Sequence, residues 1–99
     1  MITFVRSVNA QPGKIGEAVV WAKEIVAMVK RATGKDVTLC TSFGGAIGGL
    51  AWIGQYDSMH QVEEVLMKLT ADREYMTALA KAQQLFVPGS GHDQFWKHV

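Results

Sequence analysis

The apolar positions of the chain change period several times, and each change marks an element. Residues 2–9, ITFVRSVN, are β-branched and aromatic and are stopped by AQPGK, the pattern of a strand and a turn. From Lys14 the period becomes helical: Ile15, Ala18, Val19, Ala22, Ile25, Val26 and Val29 fall on one face. Glu17, Glu24, Lys30 and Arg31 lie off that stripe, and Gly34 supplies a stop. Trp21, Met28 and Ala32 widen the apolar face, so this helix is expected to meet more than one neighbour.

The stretch VTLCTSFGGAIGGLAWIGQY, residues 37–56, carries no charge at all. A membrane-spanning helix needs about 20 mostly apolar residues. Here Thr, Ser, Gln and glycine interrupt the run, and the glycines form a central cluster. A phosphate loop needs a Gly-Lys-Ser/Thr ending followed by a helix, and neither is present. The reading that remains is a hairpin: a strand at about 37–43, a GGAIGG turn and a strand at about 50–56.

Ser58 and Gln61 have capping-box spacing and open a second helix. Val62, Val65, Leu66 and Leu69 make its stripe; Met76, Leu79, Gln83 and Phe86 continue it in nearly the same phase. Asp72 can act as a fresh N-cap, but the kept phase predicts a kinked helix rather than a broken one. VPGSG ends it, and HDQFWKHV alternates as a last strand. The whole chain, 1–99, reads as one α+β domain of βαββαβ order, the ferredoxin-like arrangement with both helices on one face of an antiparallel sheet.

A sheet with one wet face should alternate apolar and polar residues. These strands do so poorly: Ile2, Phe4 and Val8 stand against Thr3, Val5 and Ser7, while Leu50, Trp52 and Tyr56 stand against Ala51 and Ile53. The second face is too apolar to stay wet, which predicts a two-fold homodimer joined through the sheets, with space for a pocket between them.

Composition narrows the function. Apolar content of 48% with 19% charge places the chain among globular domains, and a net charge of +1 gives no general attraction for nucleic acid or anionic lipid. No nucleic-acid or membrane partner is expected. Cys40 is the one cysteine, which suits a reducing compartment, and the MITFVRSV start lacks a secretory pattern. A cytoplasmic location is therefore expected.

Four residues carry candidate chemistry. Arg6 shares a strand face with Ile2, Phe4 and Val8, where a guanidinium suits a carboxylate or enolate ligand or an acid across an interface. Trp52 and Tyr56 share a face and suit an aromatic pocket. His98 alternates with Trp96 and suits acid–base or donor work. Arg6 and His98 are the catalytic candidates, and all four are expected to line a ligand pocket. His60 and His92 are expected at the surface. No histidine spacing matches a metal site, and neither a metal nor a cofactor is expected. Cys40 has neither base nor cation near it in sequence to activate it.

The βαββαβ order, the mixed strand faces, the long second helix and D-x-E-Y at 72–75 running on through LFVPGS at 85–90 resemble the dimeric α+β barrel superfamily. That group includes antibiotic-biosynthesis-type monooxygenases and NIPSNAP-like proteins. The resemblance implies a homodimer with pockets between sheet and helices, and no single reaction. Haem degradation within that group uses a Trp and a His flanking an aromatic that matches Tyr75. Leu69 and Leu79 occupy those positions here, which disfavours it; Asn9 is the one possible counterpart of the group's asparagine.

The expected function is thus a small homodimer that binds a small, partly apolar organic molecule, with cofactor-independent monooxygenase-like chemistry as its enzymatic form. The alternatives are a non-catalytic dimer whose space is filled by its own side chains, or an RNA-recognition-type binder of single strands. For the last, GLAWIGQ matches part of the strand-three motif but lacks the leading base and two aromatics.

Overall fold

The computed structural model describes residues 1–99. In chain order the elements are β1 (Ile2–Asn9), α1 (Ile15–Thr33), β2 (Thr38–Thr41), β3 (Gly49–Tyr56), α2 (Met59–Thr70), α3 (Arg73–Lys81) and β4 (His92–Lys97), with a 3-10 turn at Ala82–Leu85. All strand pairs are antiparallel, in the order β2-β3-β1-β4. This is the ferredoxin-like sheet, with the helices packed on one face.

Why α1 sits where it does follows from its smallest residues. Ala18 and Ala22 are fully buried, and their short side chains let the helix approach β3 at Leu50, which is 2% exposed. The helix ends at Gly34, whose φ of 77° lets its N–H turn back to the Lys30 carbonyl. The wide apolar flank does find a second neighbour. The Trp21 indole N–H donates to the Ala78 carbonyl of α3 at 3.0 Å, and its ring meets Phe86 and Trp52 edge-on.

Three element boundaries differ from the sequence expectation, the slightest being β4, which ends at Lys97 rather than running to Val99. β2 stops at Thr41 rather than 43: the Ser42 N–H still donates to the Gly49 carbonyl at 2.9 Å, and the Ser42 side chain then organises the loop. Its hydroxyl donates to the Ala46 carbonyl and accepts the Gly49 N–H at 3.2 Å. Phe43 and Ile47 are left pointing outward, 109% and 89% exposed. Gly48, at φ 77°, closes the loop with its carbonyl accepting the Ala10 N–H at 2.8 Å.

The second helix is broken, not kinked. Asp72 is extended, and its carboxylate accepts the Tyr75 N–H at 2.9 Å, starting α3 afresh. Apolar phase survives the break because only Ala71 and Asp72 are lost from the helix. At the start of α2, Ser58 accepts the Gln61 N–H as expected, but the Gln61 side chain accepts from Asp57 N–H, one residue earlier than a capping box would have it.

Register fixes which residues face the helices. Phe4, Leu50 and Tyr56 are buried beneath them, with Ile25 and Val29 of α1, Val62, Val65 and Leu69 of α2, and Tyr75 and Ala78 of α3. Thr3, Val5, Ser7, Cys40, Ala51, Ile53, Gln55, Gln94 and Trp96 lie on the opposite, uncovered face. No strand residue directed to that face is Lys, Arg, Asp or Glu. The helical layer also stops short of β4, every residue of which is exposed.

Leu50→Ala would open a cavity between α1 and β3 and is expected to cost about 2–5 kcal/mol in urea unfolding. Val20→Ala, on the exposed side of the same helix, is expected to stay within about 0.5 kcal/mol of the parent.

Candidate functional site

Between the sheet and the helices lies a cavity of about 50 Å³. Its floor is Phe4 and Arg6 of β1 with Trp52, Gly54 and Tyr56 of β3. Val29 and Val37 close one side, and Val62, Val65, Leu66, Leu69 and Tyr75 form the wall and roof. The strand residues arrive together because alternate positions on antiparallel neighbours share a face: Arg6 pairs with Trp52, and Phe4 with Gly54.

Gly54 has a specific part in this. A Cβ there would lie 2.8 Å from Cε2 and 3.0 Å from the hydroxyl of Tyr56. The Tyr56 ring therefore leans across a position that only glycine leaves open. Lys35 lies 4.8 Å from the centre of the same ring. The Trp52 indole N–H donates to the Ala22 carbonyl at 3.3 Å, which leaves its ring to line the cavity.

Arg6 supplies the one charge in the lining. Its Nε and Nη2 donate to the two oxygens of Asp93 on β4, at 2.8 and 2.9 Å, and its guanidinium stands 5.4 Å from the Phe4 ring centre. Phe95, beside Asp93 on the uncovered part of β4, stacks on Phe4 at 4.6 Å. The acid that answers Arg6 is thus in the same chain, brought alongside by the β1–β4 register.

The hydrogen bonds from Arg6 hold the Asp93 carboxyl below the usual carboxylate range, against the opposing effect of burial. In return Asp93 raises Arg6 further above its already high value. The Tyr75 phenol adds a weaker favourable influence on Arg6 without reaching hydrogen-bond geometry. Burial pushes the Tyr56 phenol up, and the Arg6 charge only partly opposes it. Neither phenol hydroxyl has a hydrogen-bond partner within the chain; both residues are mostly buried, and the hydroxyl tips themselves reach open space rather than being sealed in the core.

Of the four residues singled out from sequence, Arg6, Trp52 and Tyr56 meet in this cavity. His98 does not. It lies just past β4, toward the bare face, where its Nε2 is 2.6 Å from Thr3 Oγ1, which itself donates to Gln55 at 2.8 Å. Trp52 faces the helices, so the aromatic of GLAWIGQ is not on an open stacking surface, which weighs against the RNA-binding alternative. His60 pairs with Glu64 at 2.8 Å on the surface of α2, and His92 is exposed. Cys40 is an exposed free thiol. No three His, Cys, Asp or Glu side chains gather in a way that would hold a metal, and no helix is long and apolar enough to cross a membrane.

Tyr75, Asp93 and Gly54 belong to the site without having been singled out. Tyr75 had a signal, since an Asp N-cap at 72 sets the phase of the residues after it. Asp93 had one only if the register of β4 against β1 were known.

No protein-family model matches the chain, and no curated protein matches it. Solved structures do. A NIPSNAP domain protein from Burkholderia xenovorans superposes with a TM-score of 0.86 at 13% identity, covering 100% of this chain and 95% of that one. A NIPSNAP family protein of unknown function from Agrobacterium tumefaciens gives 0.84 at 20% identity, over 99% and 87%. An antibiotic biosynthesis monooxygenase gives 0.75 at 11% identity, over 100% and 99%.

Tyr56 is expected to ionise above the ordinary tyrosine range in a spectrophotometric titration, and Tyr56→Phe to remove that late step. The unfolded chain gives up this proton at a lower pH than the folded one. Stability should therefore fall as pH rises past the unfolded tyrosine value, and less so in Tyr56→Phe. At such low identities the likeness speaks for architecture, and the chain has the α+β fold shared by NIPSNAP proteins and an antibiotic biosynthesis monooxygenase.

Proposed function

We propose that the chain binds a small, partly apolar organic molecule in the cavity between sheet and helices, that the molecule is a neutral ring bearing a hydroxyl group, and that the helical roof moves outward to admit it, since a ring is larger than the 50 Å³ present. The observation that carries this reading is the pair of unbonded phenols, Tyr56 and Tyr75, set beside Arg6 in an otherwise apolar lining. A bound hydroxyl can exchange hydrogen bonds with phenols that no group of the chain engages, taking the place of water there. A carboxylate fits worse. Asp93 already neutralises Arg6 and takes one edge of its guanidinium, so a buried anion would meet no net positive charge to offset its desolvation.

The working unit of this proposal is a homodimer through the bare sheet face. The strand residues of that face carry no formal charge, so a second copy meets it without like-charge repulsion, and it leaves Trp96 59% exposed with Val5 and Ile53 on the same face. The enzymatic form of the proposal is monooxygenase-like oxidation without a cofactor, in keeping with the name of one fold neighbour: the phenolic ring itself supplies the electrons, so that phenol and O2 give a quinone and water.

4-Methylphenol is expected to shift the Trp52 indole NMR signal, with benzoate giving no shift. Tyr56→Phe or Tyr75→Phe should each weaken binding by about fivefold, the worth of one modest hydrogen bond. His98→Ala, on the other side of the sheet, should leave the affinity unchanged. Benzoate binding as well as the phenol would sink the neutral-ring reading, and oxygen uptake with the phenol decides the enzymatic form.

Native mass spectrometry is expected to give a dimer for the parent chain and a monomer for Trp96→Lys. A parent chain that is monomeric at micromolar concentration overturns the dimer.

A further inference from the structure

The run Asp72-Arg73-Glu74-Tyr75 opens α3, and its residues point to different tasks. Asp72 starts the helix by accepting the Tyr75 N–H. The same carboxylate receives two hydrogen bonds from Arg31 of α1, at 3.1 and 2.9 Å, and Glu74 lies 3.3 Å from that guanidinium. The Asp72 side chain is 17% exposed, so the cap and the fork share a mostly buried acid.

Further along α3, Trp21 of α1 holds the Ala78 carbonyl at 3.0 Å. Helix α3 is therefore tied to α1 at two points. One tie would fix where the helix sits; two also fix its rotation about its own axis. Tyr75 leaves α3 between those ties and enters the cavity beside Arg6.

We infer that Arg31 is a positioning residue for the cavity: touching no ligand itself, it holds the α2–α3 corner so that the Tyr75 phenol is aimed at the bound ring. For its ligand this rests on the reading given under Proposed function.

Exposed ion pairs of ordinary geometry contribute little. This one differs because it is a two-pronged contact onto a helix cap, with a second acid on the same guanidinium. It also stands where the helix is interrupted. Across Ala71 and Asp72 the backbone ladder does not run continuously from α2 into α3, and Arg31 bridges to α1 in its place. A lysine offers a point charge with no planar fork and cannot reproduce the contact fully.

Two measurements on the full chain test the inference. The first needs no ligand: amide hydrogen exchange of Tyr75 in the parent, Arg31→Ala and Arg31→Lys. Arg31→Ala should speed Tyr75 exchange by about fivefold, the effect of losing a cap, with Arg31→Lys in between and Val65 of α2 unchanged. Unchanged Tyr75 exchange, or equal acceleration at Val65, overturns the inference, the latter because it reports general loosening.

The second is the dissociation constant of 4-methylphenol in a double-mutant cycle of Arg31→Ala with Tyr75→Phe. If Arg31 acts through the phenol, its loss weakens binding about fivefold in the parent and hardly at all in the Tyr75→Phe background. Equal weakening in both backgrounds overturns the assignment. Should 4-methylphenol fail to bind the parent chain, the ligand reading falls, and the Tyr75 exchange result alone decides the role of Arg31.

Discussion

The register between β1 and β3 governs most of what the molecule can do. It sets Arg6 against Trp52 and Phe4 against Gly54, and so gathers the one cation of the lining, an aromatic ring and an open position under the helices. A slip of β1 by one residue would send Arg6 and Phe4 to the other face, away from Trp52 and Gly54. The slip would be opposed strongly, because Phe4 would leave the core and Thr3 and Ser7 would be turned toward it. The site is thus held in place by the same burial that holds the fold.

The order of elements was legible because the helical stripes are clean and the turn and cap signals AQPGK, GGAIGG, Ser58/Gln61 and VPGSG separate the segments, even though the strands alternate poorly. Boundaries were harder where side chains compete with the backbone. Past the end of β2 the Ser42 side chain takes up loop groups, and Asp72 ends α2 by capping its successor, yet neither disturbs the apolar phase on which periodicity depends. The site was legible in proportion to sequence distance. Arg6 could be placed with Phe4, and Trp52 with Tyr56, from alternation within one strand. Asp93 could not be placed against Arg6, nor His98 away from it, because both depend on how a distant strand aligns. Tyr75 was hidden for a different reason: its direction depends on the break in the helix.

The arrangement divides the sheet into two environments. On the helix-facing side the strands carry the Arg6–Asp93 pair, partly open to water at the margin where the helical layer ends, and Lys97 at the exposed end of β4. On the bare face the strand residues carry no formal charge, only hydroxyls, amides, a thiol, a histidine and apolar groups. That contrast separates a place suited to a small molecule from one suited to a surface of similar composition. The fold neighbours share the architecture, but at their level of identity they do not share enough sequence to carry residue roles across, and the chemistry has to be argued from these side chains.

Gly54 gives the cavity an unusual kind of control. The depth available beneath the helices depends on how far the Tyr56 ring leans over a residue that contributes no side chain. Adding a single methyl group there would leave the backbone course possible but push the ring from its present place. The dimension of the chamber is therefore adjustable from below, through the strand, without altering any residue of the helical roof. A lineage of such chains could change the size of guest it admits by one substitution in the sheet, while the helices and the ties between them stay as they are.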